Sequence, residues 1–557
     1  MNLVTEEQLA AYHDFTRRHG VNRGLYLLAR CLLQPVFLVY FMLSRQGRKN
    51  SRIKGATIVS ANHRSFLDPF VIGTCLPWGK PMNYVAKVEL FEKRWQGFIL
   101  CRVGAFPIRR GEADEMAIET AETVLARGGT ICIFPEGTRI RKGSLGIPKR
   151  GVGRLALRSG AKVLPVAVSG SENVRRGLRI RPRKVKIRIG RPMSFPRAEN
   201  PSPALAASVT SRIWPNVELQ WEDIGGLPPM RRAAVIGAGS WGTAVAVLLA
   251  RGGLEVQLGT RTEEQARAMS LARENEKYLP GVRLPDAIEI RSSSEIELAG
   301  VDLLCLAVPS ASYPQAVGAV ADRVGRRTGI LLLAKGLVAP KGMLPSEYVG
   351  ERIQSRGISC LGGPAHAKEA VSGSAALVLG TGDEDFQTQL GDVFDRAGLV
   401  CERSGDVVGV EMAGAAKNAA VLAAAAAEPH GLNAAGIAAA AVWNECVEYA
   451  VMLGAELETF NGLAGVGDLL ATVMAEGSRN RRAGELLGRG VKPDRIREAI
   501  GQASEAMDSV PQIAATVAAS GCRADALQGL ADLATGRITS DEWVVVLRRV
   551  EHSRRAA

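Results

Sequence analysis

Apolar runs of two kinds divide the chain. Between residues 51 and 200, short apolar stretches alternate with helical periodicity. ATIVSA (56–61), GTICIFP (129–135), AKVLPVAVSG (161–170) and KVKIRIG (184–190) predict strands, and MAIETAETVLARGG (116–129) predicts a helix closed by glycines. That order predicts an α/β domain. Residues 199–230 collect Pro, Gly and Ser and place a junction near 222–230. A new strand–turn–helix pattern opens at RRAAVIGAGSWGTAVAVLLARGG (231–253). From about residue 405 the chain is alanine-rich. Good helix formers interrupted by Pro429 and Gly431 predict packed helices there, not a low-complexity tract.

One further apolar run is long enough for a bilayer. Gly24 to Leu43 is 20 residues, apolar except at Arg30 and Gln34, with Arg17, Arg18 and Arg23 before it and Arg45, Arg48 and Lys49 after. Arg30 would cost about 2.5–3.5 kcal/mol near the bilayer centre, and Pro35 kinks a helix. The pattern favours a segment lying on the membrane over one that spans it, with a buried helix on the first domain as the alternative. The polar stretch ahead of it lacks the pattern of a cleavable secretory signal.

A length of 557 residues exceeds what one core supports, and 46% hydrophobic with 23% charged residues excludes disordered, collagenous and coiled-coil classes. Nine scattered cysteines without a C-x-x-C pair argue against a disulfide framework or a zinc site and for a reducing compartment. Charge changes the picture more. Residues 1–229 hold 37 Lys and Arg against 17 Asp and Glu, a net +20, while the other 328 residues hold 33 against 39, or −6. Eight cations fall within residues 175–188. Nucleic acid is the rival partner for such a run, but no DNA- or RNA-binding motif accompanies it. Beside the apolar segment, an anionic membrane surface is the expected partner.

The strand ATIVSA runs into Asn62-His63-Arg64-Ser65-Phe66-Leu67-Asp68-Pro69, where Asp68-Pro69 signals a helix start. A short turn would fold Asp68 back onto His63 and set its tautomer, giving a base with its orienting carboxylate. Gly104-Ala-Phe-Pro-Ile-Arg109-Arg110-Gly111 places an arginine pair on a turn, and Phe134-Pro135-Glu136-Gly137-Thr138-Arg139 follows a predicted buried strand. Arg109 and Arg139 suit phosphate, and Gly137 lets backbone N–H groups approach an anion. The blocks NHRSFLDP, GAFPIRRG, FPEGTR and VLPVAV resemble, in order and spacing, those of the glycerolipid acyltransferases, over about residues 55–190. The resemblance implies that His63, held by Asp68, deprotonates a glycerol hydroxyl that attacks an acyl thioester. It implies too that Arg109, Glu136, Gly137 and Arg139 organise the phosphate-bearing acceptor.

In the back half, a buried-strand run, Gly237-Ala-Gly239-Ser240-Trp241-Gly242 and a helix form a dinucleotide-binding pattern. The second strand ends in Thr260-Arg261 where an NAD site would place a carboxylate, so NADP(H) is favoured, with NAD(H) left open. Lys335, Lys417, Asp468 and Ser478-Arg479-Asn480 form a set suited to reducing a phosphorylated ketone. Lys417 would polarise and protonate the carbonyl, Asp468 would orient Lys417 or a substrate hydroxyl, and Arg479 with Asn480 would bind phosphate. From GAGSWGTAVA through AKGL, GGPAHAKE, GAAKNA and AGVGDL to GSRNRR, residues 231–535 resemble NAD(P)-dependent glycerol-3-phosphate dehydrogenase. By that resemblance Lys417 transfers the proton. Lys335, Gly363, Ala365, Asp468, Ser478, Arg479 and Asn480 contact substrate, and Ser240, Trp241, Arg261, Lys335, Ala367, Arg479, Ala503 and Glu505 contact cofactor. Three departures stand out. Ala365-His366 replaces the usual Ser or Thr then Phe, Asn444-Glu445-Cys446 replaces T-R-G, and SEAMDSV replaces V-E-G-V near Glu505.

These observations predict an N-terminal membrane-associating segment (1–50), an acyltransferase α/β domain (51–222) and a linker (223–230). A Rossmann doubly wound parallel sheet (231–404) and an all-helical C-terminal domain (405–557) follow. The expected protein is a bifunctional enzyme of glycerophospholipid synthesis, cytoplasmic and peripheral to the inner face of the membrane. It would make sn-glycerol 3-phosphate and acylate that product or its monoacyl derivative. Acyl-CoA and acyl carrier protein remain alternative donors, and a homodimer through the dehydrogenase half is left open. A dehydrogenase-like NADPH sensor fused to an acyltransferase is the alternative.

Overall fold

The computed structural model describes residues 4–109, 114–141, 143–176, 179–364, 366–475, 477–500 and 504–556. The chain forms two compact units, residues 1–229 and 230–557.

The strands of the first unit are β1 (Ser44–Gln46), β2 (Thr57–Ala61), β3 (Met82–Lys87), β4 (Ala105–Ile108), β5 (Thr130–Ile133), β6 (Lys162–Ser169), the hairpin β7 (Arg175–Arg176) and β8 (Arg179–Ile180), and β9 (Lys186–Ile189). The seven outside the β7–β8 hairpin build one sheet in the order β1-β9-β6-β2-β5-β3-β4, parallel except where β6 meets β9. Successive residues feed two cores. Ile58, Ile131 and Val163 point to one, and Val59, Cys132 and Leu164 to the other. Helices cover both faces: α1 (Glu6–His19), α2 (Arg23–Pro35), α3 (Asp68–Cys75), α4 (Arg94–Arg102), α5 (Glu115–Ala126), α6 (Gly151–Ser159) and α7 (Pro203–Asp223). A parallel sheet buried on both sides is why its central strands read as continuous apolar runs.

The apolar run 24–43 is not one straight helix. α2 ends at Pro35 and continues as a π-turn, Val36–Tyr40, because proline cannot donate within the ladder. Phe37 and Phe41 enter the core, while Leu28, Leu32, Val36 and Val39 form an exposed stripe. Arg30 faces inward. Its guanidinium donates to the carbonyls of Thr74 (2.9 Å), Leu76 (2.6 Å) and Pro77 (3.3 Å) and stacks on Trp78 at 4.2 Å. It thus serves the orphan carbonyls at the C-terminal end of α3.

The second unit begins with the expected doubly wound sheet. Its strands are β10 (Arg232–Ile236), β11 (Glu255–Thr260), a hairpin of β12 (Glu274–Asn275) and β13 (Leu279–Arg283), β14 (Ile288–Ser292), β15 (Leu303–Leu306), β16 (Gly329–Leu332), β17 (Gly357–Gly362), β18 (Ala376–Gly380) and β19 (Val400–Ser404). The sheet order is β14-β11-β10-β15-β16-β17-β18-β19, with β17–β18 antiparallel and the other pairs parallel. The order reverses between β10 and β15, the crevice where such sheets bind ligands. α8 (Ser240–Arg251), α9 (Glu263–Ala272), α10 (Tyr313–Val320), α11 (Pro345–Gly350), α12 (Ala367–Ser372) and α13 (Glu384–Arg396) connect the strands.

The expected helical region follows: α14 (Val407–Ala427), α15 (Leu432–Met452), α16 (Leu457–Asn461), α17 (Asp468–Met474), α18 (Arg479–Gly488), α19 (Pro493–Ile500), α20 (Glu505–Ala519), α21 (Asp525–Ala534) and α22 (Ser540–Ala556). Residues 407–430 pass a length-and-composition test for a membrane span, but 83% of that apolar window is buried. α14 is the central helix of this region, surrounded by neighbours and apolar except at the buried Glu411, Lys417 and Asn418.

Candidate active sites

In the first unit, β2 delivers Asn62 and His63 to the C-terminal end of the sheet. The Asn62 amide donates to the Val168 carbonyl (2.9 Å) and its oxygen accepts from the Val168 N–H (2.8 Å), pinning the end of β2 to β6. A short turn then brings Asp68 back, and His63 Nδ1 donates to Asp68 Oδ2 at 2.9 Å. The same oxygen accepts the backbone N–H groups of Arg64 (2.6 Å) and Ser65 (2.7 Å). The other, Oδ1, accepts from the Ser171 hydroxyl at 2.6 Å. With Nδ1 carrying the proton, Nε2 is the basic nitrogen. The imidazole stacks on Phe134, ring centroids 4.1 Å apart, so its plane is held as well as its tautomer.

Glu136 stands behind this pair. Its buried carboxylate accepts the His63 N–H (2.6 Å) and the Gly146 N–H (2.8 Å), bracing the His63 backbone. Burial pushes its pKa up to about 7, against the pull of those two amides and Arg64. Gly137 has φ +72°, a left-handed turn, and its own N–H donates to the Phe134 carbonyl. Arg139 lines a cavity of about 320 Å³ together with Arg64, Ser65, Phe66, Arg141, Glu172 and Arg175. Arg64 is the structural member, donating to Ile140 O (2.8 Å) and Gly143 O (2.9 Å) and lying 4.5 Å over Trp221. Arg109 does not line this cavity. It follows the edge strand β4, separated from β2 by β5 and β3, where its guanidinium donates to Glu6 and its N–H to Asp114 (2.9 Å). Arg110 and Gly111 lie outside the described residues.

In the second unit the three glycines have separate tasks. Gly237 has φ +111°, and a Cβ there would lie 2.5 Å from the Ala307 carbonyl. A Cβ on Gly242 would lie 2.0 Å from the Gly237 carbonyl, so helix and loop pack at backbone contact. A Cβ on Gly239 would meet nothing within 4 Å, which leaves the space in front of the α8 N-terminus open. A tight turn, open space and a helix N-terminus suit a pyrophosphate. Ser240 and Trp241 begin α8, and Arg261 is exposed just past β11. Ala367 begins α12.

Lys335, Lys417 and Asp468 meet in one cluster. Asp468 Oδ2 lies 2.6 Å from Lys335 Nζ and 3.4 Å from Lys417 Nζ. Lys417 also donates to Thr472 Oγ1 at 3.2 Å. Thr472, one helical turn past Asp468 on α17, went unpredicted; the D-x-x-x-T spacing was the available signal. Burial, then the Lys335 charge, lowers the Lys417 pKa to about 8. Burial raises the Asp468 carboxyl, but the two lysines outweigh it and hold it below its ordinary value.

A polar chain fixes the rest. The Lys335 N–H donates to Glu505 (3.0 Å), and Asn418 donates to the Lys335 carbonyl (3.1 Å). Asn480 donates to Asn418 (2.9 Å) and accepts from Ser504 (3.0 Å). Asn480 is thus engaged in tying α14, α18 and the start of α20 together. Ser478 caps α18, accepting from the Arg481 N–H at 3.3 Å, with Arg479 exposed beside it. Gly363 turns at φ +100° after β17. Ala365 and Ala503 lie outside the described residues. Of the sequence departures, His366 donates to the Ala471 carbonyl on α17 at 3.3 Å. Glu445 is fully buried and caps α21, accepting from the Ala526 and Leu527 N–H groups at 2.9 and 2.8 Å.

Comparison with known proteins places both halves. Residues 232–386 and 406–545 match the family models for the N- and C-terminus of NAD-dependent glycerol-3-phosphate dehydrogenase, and residues 43–169 match the acyltransferase model. The glycerol-3-phosphate dehydrogenase (NAD(P)+) of Thermus thermophilus is 40% identical over 267 residues, 47% of this chain and 80% of that protein. That of Deinococcus radiodurans is 39% identical over 264 residues, 46% and 78% of the two chains. The crystal structure of the Coxiella burnetii glycerol-3-phosphate dehydrogenase superposes with a TM-score of 0.54 at 27% identity, covering 57% of this chain and 98% of that one. The chain therefore belongs to the NAD-dependent glycerol-3-phosphate dehydrogenase family and carries an acyltransferase domain ahead of its dehydrogenase half.

Proposed function

We propose that this protein makes sn-glycerol 3-phosphate in its second unit and acylates that product, or its monoacyl derivative, in its first. The observation that carries the reading is that each unit holds a complete proton-transfer group. His63 is held by Asp68, and Lys417 is held by Asp468 and Thr472. In the first unit, His63 Nε2 takes the acceptor hydroxyl proton as that oxygen attacks a thioester carbonyl. The C–S bond then breaks and the proton passes to the leaving thiolate. The cavity lined by Arg139, Arg141 and Arg175 suits the acceptor phosphate. In the second unit the nicotinamide supplies hydride when bound. Lys417 gives its proton to the ketone oxygen of dihydroxyacetone phosphate, Lys335 offsets the charge that develops there, and Asp468 keeps the two cations in place. His63→Ala should lower acyl transfer about 10²–10⁴-fold while leaving NADPH oxidation by dihydroxyacetone phosphate intact. Acyl transfer within about tenfold of the parent would remove His63 from the base role.

The finer preference is for NADPH, and Arg261 supports it: an exposed guanidinium past β11 stands where the 2′-substituent lies in such sheets. Arg261→Ala should weaken NADPH by about 1.5–3 kcal/mol and NADH much less. Equal losses in kcat/KM would exclude that role.

The protein works at an anionic membrane surface, in this reading. Support comes from the exposed apolar stripe Leu28, Leu32, Val36 and Val39, from exposed Trp95 and Phe98 on α4, and from the +20 charge of residues 1–229. Deleting residues 1–50 would strip Phe37 and Phe41 from the core, so surface substitutions are the proper test. Leu28→Glu with Leu32→Glu should release the protein from anionic vesicles at high salt and less so at low salt, because the basic contribution alone is screened. Unchanged sedimentation at high salt would remove the stripe from the contact.

A further inference from the structure

We propose that Ser171 is a positioning residue for acyl transfer: its hydroxyl holds the Asp68 carboxylate in the one orientation that aims His63 at the acceptor. The proposal rests on the base role given to His63 above.

Asp68 is fully buried, and its two oxygens are unequally served. Oδ2 accepts three N–H groups, from His63, Arg64 and Ser65. Oδ1 accepts from Ser171 Oγ at 2.6 Å, the short distance expected of a hydroxyl on a carboxylate. Ser171 is itself 1% exposed, so water does not replace it readily. The carboxylate rotates about one soft bond. With donors on both oxygens it cannot turn without breaking contacts on each; with Oδ1 bare, its plane is held from one side only.

The chain builds this contact deliberately. β6 runs through Ser169, and Gly170 turns at φ +85°, where a Cβ would lie 2.2 Å from the Lys184 carbonyl. Only glycine passes there, and the next residue starts a short 3-10 turn with its hydroxyl facing Asp68. The Asn62–Val168 clamp fixes the other side of the same corner, next to His63. The end of β6 therefore grips the histidine–aspartate pair from both sides. Ser171 does not itself line the cavity, and its hydroxyl is given to Asp68 Oδ1, so it acts through Asp68.

The test uses the full chain with oleoyl-CoA and either glycerol 3-phosphate or 1-oleoylglycerol 3-phosphate. Ser171→Ala should lower kcat roughly 10–100-fold, the order of loss known for outer hydrogen-bond partners of metal-bound histidines and carboxylates, with KM for both substrates little changed. Ser171→Thr, which retains the hydroxyl, should bring kcat back toward the parent. A merely structural role would lower the folded fraction and spare kcat per folded protein. An unchanged kcat for the folded fraction, or a raised KM at unchanged kcat, therefore overturns the proposal. Where Ser171→Ala fails to fold, Ser171→Cys fills the site with a much weaker donor and is judged by the same two outcomes. His63→Ala run in parallel separates the two ideas. Loss there without an effect at Ser171 overturns only the positioning role, and no loss there overturns the base assignment beneath it.

Discussion

Arg30 donates to the Leu76 carbonyl at 2.6 Å, at the far end of the helix that Asp68 begins. An arginine in the middle of an apolar run is thus a cap for the helix that carries Asp68, held 3% exposed with carbonyls and Trp78 around its guanidinium. Arg30→Leu separates this from a membrane-spanning role. A spanning helix would gain from the change, whereas here buried carbonyls lose a charged donor at about 1.5–3 kcal/mol. The expected outcome is a lower denaturant midpoint for the first unit and lower acyl transfer, with NADPH oxidation retained. An unchanged midpoint would refute the cap.

The lowered pKa of Lys417 sets a pH dependence. The lysine must be protonated to act as an acid, so ketone reduction at saturating substrate should fall as pH rises through about 8. Asp468 raises that pKa, and Asp468→Asn removes the raising charge, so the alkaline limb should move to lower pH. A kcat–pH profile on both proteins checks it; a limb that stays put means that another group controls the fall.

Gly239 and Gly242 should fail differently when changed to alanine. At Gly242 the new methyl would lie 2.0 Å from a backbone carbonyl, so stability falls, by about 1–3 kcal/mol or more. At Gly239 it would enter open space, so Tm should hold while Kd for the nicotinamide cofactor rises. Thermal scans with and without NADPH distinguish them, and a destabilised Gly239→Ala protein would show that the space is not open.

Glu136→Gln replaces one accepting oxygen by an NH2 group, which then faces the N–H of His63 or of Gly146. Leaving a buried donor unsatisfied costs about 1–3 kcal/mol. Acyl transfer should fall through kcat, with KM for the phosphorylated acceptor unchanged. A raised KM alone would return Glu136 to the acceptor-binding role that its motif suggested.

The elements and the chemistry were legible wherever the signal is local. Strand runs, the Asp68-Pro69 helix start and the glycine loop each depend on neighbours within a few residues, and so do the Lys417 and Asp468 motifs. Backbone sterics and capping act over that range. What tertiary structure decided is which groups face each other across the fold. Arg109 and Arg139 look equivalent along the chain, yet strand order puts two strands between Arg109 and the histidine, while Arg139 follows the neighbouring strand and reaches the cavity. Glu136 reads as an acceptor ligand and is a brace for the His63 backbone, because burial among N–H groups determines what a carboxylate binds. Ser171 carries no signal of its own, and Thr472 only its spacing from Asp468. Their hydroxyls matter because β6 ends beside Asp68 and because α17 lies against Lys417, and sheet order and helix packing, which depend on contacts distant in sequence, bring them there.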